Sequence, residues 1–249
     1  MAPTAGVVQL QPETLQAFAA YIREAEKTME PALEGEGAFL WSATDPERAQ
    51  QLGQGKIAVQ RWSGREPVKV PMGLIHDWIG AVFIPETTVE ATLAMVQNYD
   101  HHKEIYTPEV IASGLKKRDG NDFQVNLRLL KKKIITVVLD TDHDVHYRCL
   151  GPGRWFCRSY TTRIAEVENA GGVKERVLPP DTGYGFLWRL YSYWKFQEKD
   201  NGVSVECRAV SLTRDVPFGL GWVVEPIIQS LPKESLRHTL EATRQALRH

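Results

Sequence analysis

The sequence predicts an α+β fold in which a curved antiparallel sheet of seven strands grips one long C-terminal helix. Three observations carry this. First, Leu220, Val223, Val224, Ile227, Ile228, Leu231, Leu236, Leu240, Thr243 and Leu247 recur at three- and four-residue spacing, the period of an amphipathic helix. Second, between Trp78 and Arg214 the apolar segments are short and strand-like, apart from one helical stretch near Val89. Third, these segments are joined by Asp119-Gly120-Asn121, Gly151-Pro152-Gly153 and Asp200-Asn201-Gly202. Such tight turns connect antiparallel neighbours, because parallel ones need long crossovers.

The elements follow in order. Pro12 suits the first turn of a helix whose apolar stripe is Leu15, Phe18, Ile22, Ala25 and Met29. Glu34-Gly35-Glu36-Gly37 ends it, and Ile57, Val59 and Trp62 alternate as a short strand. The chain is expected to divide near residue 72: residues 1–72 form a helix and strap packed on the main body, and residues 73–249 form the principal domain. Trp78 to Ile84 is the first strand, stopped by Pro85, and Thr87 or Thr88 caps a helix reaching Asn98. Six strands follow: Glu109 to Lys117, Asp122 to Leu130, Ile134 to His146, Arg154 to Val167, Tyr184 to Gln197, and Val203 to Arg214. Gly and Pro mark residues 169–182 as a surface excursion. Pro226 and Pro232 inside the last stripe predict a kinked helix, hinged near Ser230 or Leu231.

Composition narrows the class. With 43% hydrophobic and 24% charged residues and a formal net charge of −1, the chain lacks the basic excess that phosphate binding needs, so no nucleic-acid partner is expected. Its three cysteines are too few and too far apart for a disulfide framework or a zinc motif. No apolar run is long enough for stable membrane insertion. The start shows no charged region leading into an apolar one, so the chain as written is expected in the cytoplasm, or in the periplasm or outside the cell if a leader was removed.

Strand register decides which residues share a face. A two-residue Asn201-Gly202 turn would set Phe196 opposite Cys207, Trp194 opposite Ala209 and Ser192 opposite Ser211, with Lys195, Gln197, Glu206 and Arg208 facing solvent. A turn over Leu150 to Gly153 would set Leu139 opposite Ile164, His143 opposite Tyr160 and Val145 opposite Arg158. The inner surface would then be apolar with four polar intruders, His143, Arg158, Tyr160 and Ser192.

Strand, helical segment, six antiparallel strands and a long C-terminal helix resemble the START-like helix-grip superfamily, also called SRPBCC or Bet v 1-like. Residues 75–247 carry the resemblance. Two stretches look like its bacterial members: Asn121-Asp122-Phe123 through Leu139, and Ser211-Leu212-Thr213-Arg214-Asp215-Val216-Pro217-Phe218-Gly219-Leu220 leading into Pro232-Lys233-Glu234-Ser235-Leu236. The resemblance implies a cavity between sheet and helix that takes a lipid, sterol, polyketide or hormone, or that works as a cyclase or hydrolase. It carries no catalytic motif to transfer, and the N-terminal arm lies outside it.

The candidate chemistry is weighed on the residues themselves. Asp140, Asp142, His143, Asp144 and His146 have metal-ligand side chains, but on a strand His143 points away from the others, which stand about 7 Å apart. They are expected to be solvated charges, so no metal and no cofactor is expected. His101-His102 reads as an exposed helix end, and Lys131-Lys132-Lys133 as a solvated hairpin tip. No nucleophile elbow, P-loop, dinucleotide fingerprint or zinc-protease motif occurs. The leading expectation is a carrier or sensor, not an enzyme, that binds a hydrophobic small molecule such as a lipid or polyketide-like compound. Leu127, Val137, Leu139, Trp188, Leu190 and Val224 would form the walls, and His143, Arg158, Tyr160 and Ser192 would orient a polar head. Two alternatives stand beside it: a cyclase or dehydratase using His143 and Tyr160 as acid–base groups, and a solid-cored protein-interaction module.

Overall fold

The computed structural model describes residues 6–64, 67–132, 136–215 and 221–248, with backbone alone for 221–230. The chain runs β1 (Val8–Gln9), α1 (Pro12–Lys27), α2 (Glu30–Leu33), α3 (Pro46–Gly53), β2 (Ala58–Arg61), β3 (Val68–Val70), β4 (Gly73–Pro85), α4 (Val89–Val96) and α5 (His102–Ile105). There follow β5 (Val110–Asp119), β6 (Asp122–Lys132), β7 (Thr136–Gly151), β8 (Arg154–Glu168), β9 (Arg176–Val177), β10 (Thr182–Gly183), β11 (Arg189–Lys199), β12 (Gly202–Arg214) and α6 (Gly221–Ala246). The main sheet is ordered β2-β4-β12-β11-β8-β7-β6-β5, every neighbour antiparallel. Its seven long strands are those expected; β2, β3 and β9 enlarge it to ten, and β1 and β10 pair separately.

The turns set the register. Asp200 and Asn201 have φ of 53° and 57°, the left-handed pair that a type I′ turn needs, and Lys199 faces Gly202. This turn sits one residue earlier than expected. The pairings therefore slide by two, to Phe196–Val205, Trp194–Cys207 and Ser192–Ala209, and every side chain keeps its face. At the β7–β8 turn the shift is by one. An irregularity between Cys149 and Gly151 pairs Val145 with Ser159 and His143 with Thr161, so Arg158 and Tyr160 turn outward. A second bulge beside Asp142 then sets Leu139 opposite Glu166 rather than Ile164.

Over β4, β12 and β11 the sheet is covered on both faces. On the inner face Trp78, Val82 and Ile84 of β4 meet Val203, Val205 and Cys207 of β12, and this core continues through Phe196, Phe123, Val125 and Tyr147. Val89, Leu93 and Val96 of α4 and Leu236, Leu240 and Leu247 close over it. Gly80 lets α6 lie low, because a Cβ there would stand 2.7 Å from Leu240 Cδ1. The helix runs unbroken across Pro226 and Pro232, so the expected restart at Ser230 or Leu231 does not interrupt it.

The outer face is where the structure departs most from the sequence reading. Phe18, Ile22 and Met29 of the N-terminal segment pack on Ile75, Val210, Leu212 and Tyr193. Beneath the same arm Arg208 and Glu206 are 3% and 1% exposed rather than solvated. Arg208 grips Asp77 with two bonds of 2.9 and 2.6 Å and lies 4.0 Å over the Trp62 ring. Glu206 accepts the backbone N–H groups of Trp41 and Ser42 at 2.9 and 2.7 Å, and Lys195 donates to the Phe39 carbonyl at 2.7 Å. A charged strip that alternation assigns to water is covered instead by the arm, Glu206 and Lys195 bonding to its backbone and Arg208 to Asp77 of β4.

Candidate functional site

The inner face changes character toward the end of the sheet where β12 runs out into the segment before α6. One row crosses it from strand to strand: His76 on β4, Ser211 on β12, Leu190 on β11, Thr161 on β8 and His143 on β7. The adjacent row is Trp78, Ala209, Ser192, Ser159 and Val145. Strand alternation alone puts these hydroxyls and imidazoles on the helix side. Leu127, Val137, Ser159, Leu190, Ser192 and Trp194 are only half-buried although they face inward. The opposite end of the same face is packed core, with Trp155 and Trp194 partly buried against it.

The polar groups form two small networks. Thr141 Oγ1 donates to the Leu127 carbonyl at 2.9 Å and lies 2.9 Å from His143 Nε2. A hydroxyl has one proton, so with Thr141 committed to Leu127 the imidazole donates from Nε2. His143 Nδ1 is then the bare nitrogen and faces Ser159 Oγ at 3.4 Å. Burial lowers the His143 pKa to about 4, against a smaller opposing effect of Asp142, so the ring is neutral at pH 7. His76 is 1% exposed, its Nε2 lies 3.1 Å from Thr213 Oγ1, and its Nδ1 has no partner among the described residues. Burial, and next the Arg61 guanidinium, lower its pKa to about 4 as well.

At the ends of β7 and β8 an open cleft of about 410 Å³ is lined by Val137, Glu166, Glu168, Tyr184 and Phe186. Glu166 is 5% exposed and fixes the rim, accepting the backbone N–H groups of Tyr184, Gly185 and Phe186 at 2.7, 2.9 and 3.1 Å. Burial raises its pKa, and those three amides oppose the rise. Gly183 is required beside it: φ is 154° and a Cβ would meet the carboxyl at 2.6 Å.

A solved structure of a STAR-related lipid transfer protein from Xanthomonas axonopodis superimposes over 74% of this chain and 98% of its own, with a TM-score of 0.51 and 17% identity. The fold is a START-like helix grip. A START superfamily protein from Mycobacterium smegmatis matches over 69% of this chain and 97% of its own at TM-score 0.45 and 11% identity. The Zhui aromatase/cyclase from Streptomyces sp. R1128 matches over 69% and 93% at TM-score 0.47 and 7% identity. No protein-family model and no curated protein matches the sequence.

Within this START-like grip the expected site residues separate. His143, Ser192, Leu190, Leu127 and Val137 share the inner face. Leu139 shares it too, but is packed against Tyr106, Ile164 and Ala242 and bounds no open space. Val224 lies outside the described side chains. Trp188 is corrected: regular β11 starts only at Arg189, Trp188 N donates to the Leu212 carbonyl, and the indole packs in the cluster beneath α1. Arg158 and Tyr160 are corrected by the one-residue shift. Arg158 is exposed, 5.6 Å over the Tyr160 ring, and the Tyr160 hydroxyl donates to Glu26 of α1. Burial, then Glu26, raises the Tyr160 pKa to about 12. The sheet itself therefore stands between His143 and Tyr160, and they make no acid–base pair.

The remaining candidates resolve simply. Asp142 binds Asn126, Lys116 and Arg163, and Asp122 holds His146 at 2.7 Å; among the described residues no cluster could hold a metal ion. His102 is not at an exposed helix end: it is 8% exposed, with Nε2 2.9 Å from the Val96 carbonyl. Lys131 pairs with Glu109 and donates to Ser235 of α6 at 2.7 Å, while Lys133 lies outside the described residues. Cys157 is buried, and burial pushes its thiol well above the usual range. No described helix is long and apolar enough to cross a membrane. Sequence reading missed His76, Ser159, Thr161 and Thr213, and placed Ser211 opposite Ser192 without counting it among the polar groups of the face. His76 was readable, since it shares the parity of Trp78 on β4.

Proposed function

We propose that this START-like chain binds a hydrophobic small molecule between the inner sheet face and the first half of α6, as a carrier or sensor. One observation carries the reading. Apolar and hydroxyl side chains on a face that is otherwise core, among them Leu190, Ser192 and Ser159, remain half-buried toward the end of the sheet where β12 finishes. A chain with a filled interior buries such residues, because each apolar group left out forfeits about 25 cal/mol per Å². The neutral donors and acceptors there suit orientation of a ligand's polar end. The lipid-transfer function printed for the Xanthomonas protein agrees with this class of ligand. The cyclase or dehydratase alternative loses its acid–base pair, leaving His143 without Tyr160.

The test is titration with the neutral fluorophore N-phenyl-1-naphthylamine. Saturable one-to-one binding is expected, and Leu190→Trp, which fills the space, should weaken it at least tenfold with little change in melting temperature. Absence of saturable binding, or binding indifferent to Leu190→Trp, would overturn the assignment.

A further inference from the structure

The N-terminal arm is tied to the rim of the cleft as well as to the outer face of the sheet. Val8 and Gln9 of β1 pair with Gly183 and Thr182 of β10, and the Leu10 N–H donates to the Asp181 carbonyl at 2.8 Å. Leu10 is buried in the cluster beneath α1, with Phe18 and Ile22. Arg214 adds a second tie, its N–H donating to the Gly185 carbonyl and its guanidinium to the Gly6 carbonyl at 3.4 Å. From Gly183 the chain crosses the end of the sheet. Tyr184 and Phe186 line the cleft, Leu187 packs with Leu127 and Val137 on the inner face, and Trp188 packs beneath α1 on the outer one. Adjacent side chains of one segment therefore touch opposite faces.

The two holds on this segment differ in origin. On the grip side, Glu166 of β8 accepts the amides of Tyr184, Gly185 and Phe186, against the cost of burying a carboxylate. On the arm side the hold is a ladder of two residues, and so short a ladder opens locally without unfolding the domain. We infer that β1 is a strap that holds the Gly183–Leu187 rim closed, and that its release is the step that lets a ligand pass between the cleft and the inner face. The inference rests on the binding reading above and adds a control on exchange. β1 precedes β4, the first strand of the grip, and the described residues lining the cleft belong to the grip. A strap of this kind must open on the way in and on the way out, so it scales both rates and leaves their ratio, the affinity, unchanged.

The test locks the strap. With Leu10 bonded to Asp181, alternation makes Gln9 and Thr182 the non-bonded pair, whose Cα atoms stand about 4.5 Å apart, within reach of a disulfide. Gln9→Cys with Thr182→Cys is made on a Cys149→Ser background, because Cys149 is exposed. Uptake and release of N-phenyl-1-naphthylamine by the full chain are followed by stopped flow in the oxidised and reduced forms, with hydrogen exchange of the Tyr184, Gly185 and Phe186 amides. Oxidation should slow uptake and release alike by about tenfold and hold the affinity within about twofold. It should also protect the three amides, and reduction should restore every value. Leu10→Ala, which loosens the strap without a cross-link, should speed both rates. Equal rates in the two redox forms, or a loss of affinity with no change in rates, would overturn the strap while leaving the cavity in place. Absence of probe binding in both forms would overturn the binding reading; the amides then decide the strap, and equal protection in the two forms overturns it too.

Discussion

Asp77 and Arg208 show how a buried charge is tolerated here. Arg208 is 3% exposed, is paired bidentately, and rests on Trp62, and Tyr21 adds a 2.7 Å bond to Asp77. Asp77→Ala leaves that guanidinium buried and unpaired, so it is expected to cost about 3–5 kcal/mol, read as a lowered urea midpoint. Three buried imidazoles set the acid limit. His76, His102 and His143 are each lowered by burial from 6.5 to about 4. The unfolded chain binds protons at these positions between pH 6.5 and 4 and the folded chain does not, so stability falls as pH drops through that window. Glu166 and Glu206, raised by burial, work the other way, since their folded forms hold protons more readily. Melting temperature measured from pH 7 to pH 4.5 should fall, and His102→Leu should flatten the slope. A profile flat in the parent would contradict the neutral assignments on which both hydrogen-bond networks rest.

At the scale of elements, the seven long strands and the last helix were legible because period and turn residues agree along the chain. Faces were legible where an error was even. The Asp200-Asn201 turn moved β11–β12 pairs by two residues and changed no orientation. They were illegible where it was odd. One irregular residue near Gly151 turned Arg158 and Tyr160 to the outer face, and nothing in the local sequence distinguishes that bulge from a regular turn. The solvated reading of Glu206, Lys195 and Arg208 failed for another reason: their cover comes from Phe39, Trp41, Ser42 and Trp62, more than 130 residues away in sequence. The seat of α6 gives an element-scale prediction. Gly80→Val sets a branched side chain against Leu240 and the Ala58 carbonyl, and should cost about 1–3 kcal/mol. Hydrogen exchange in the second half of α6 should rise with it.

For the whole molecule, the sheet is a partition with different work on each side. The N-terminal arm covers the outer face of β4, β12 and β11 with Phe18, Ile22, Met29 and a set of hydrogen-bonded charges. The inner face is core at one end, under α4 and Leu236, Leu240 and Leu247, and carries half-buried residues toward the other. Removing the arm should destabilise the chain, because it uncovers Ile75, Val210 and Leu212 and strips the cover from Glu206 and Arg208. The most direct measurement is native mass spectrometry of the intact chain as purified, set against the same chain after organic extraction and refolding. A single small molecule bound per chain, lost on extraction and blocked by Leu190→Trp, is the predicted result; an as-purified chain of bare mass that also takes up no apolar probe would contradict it.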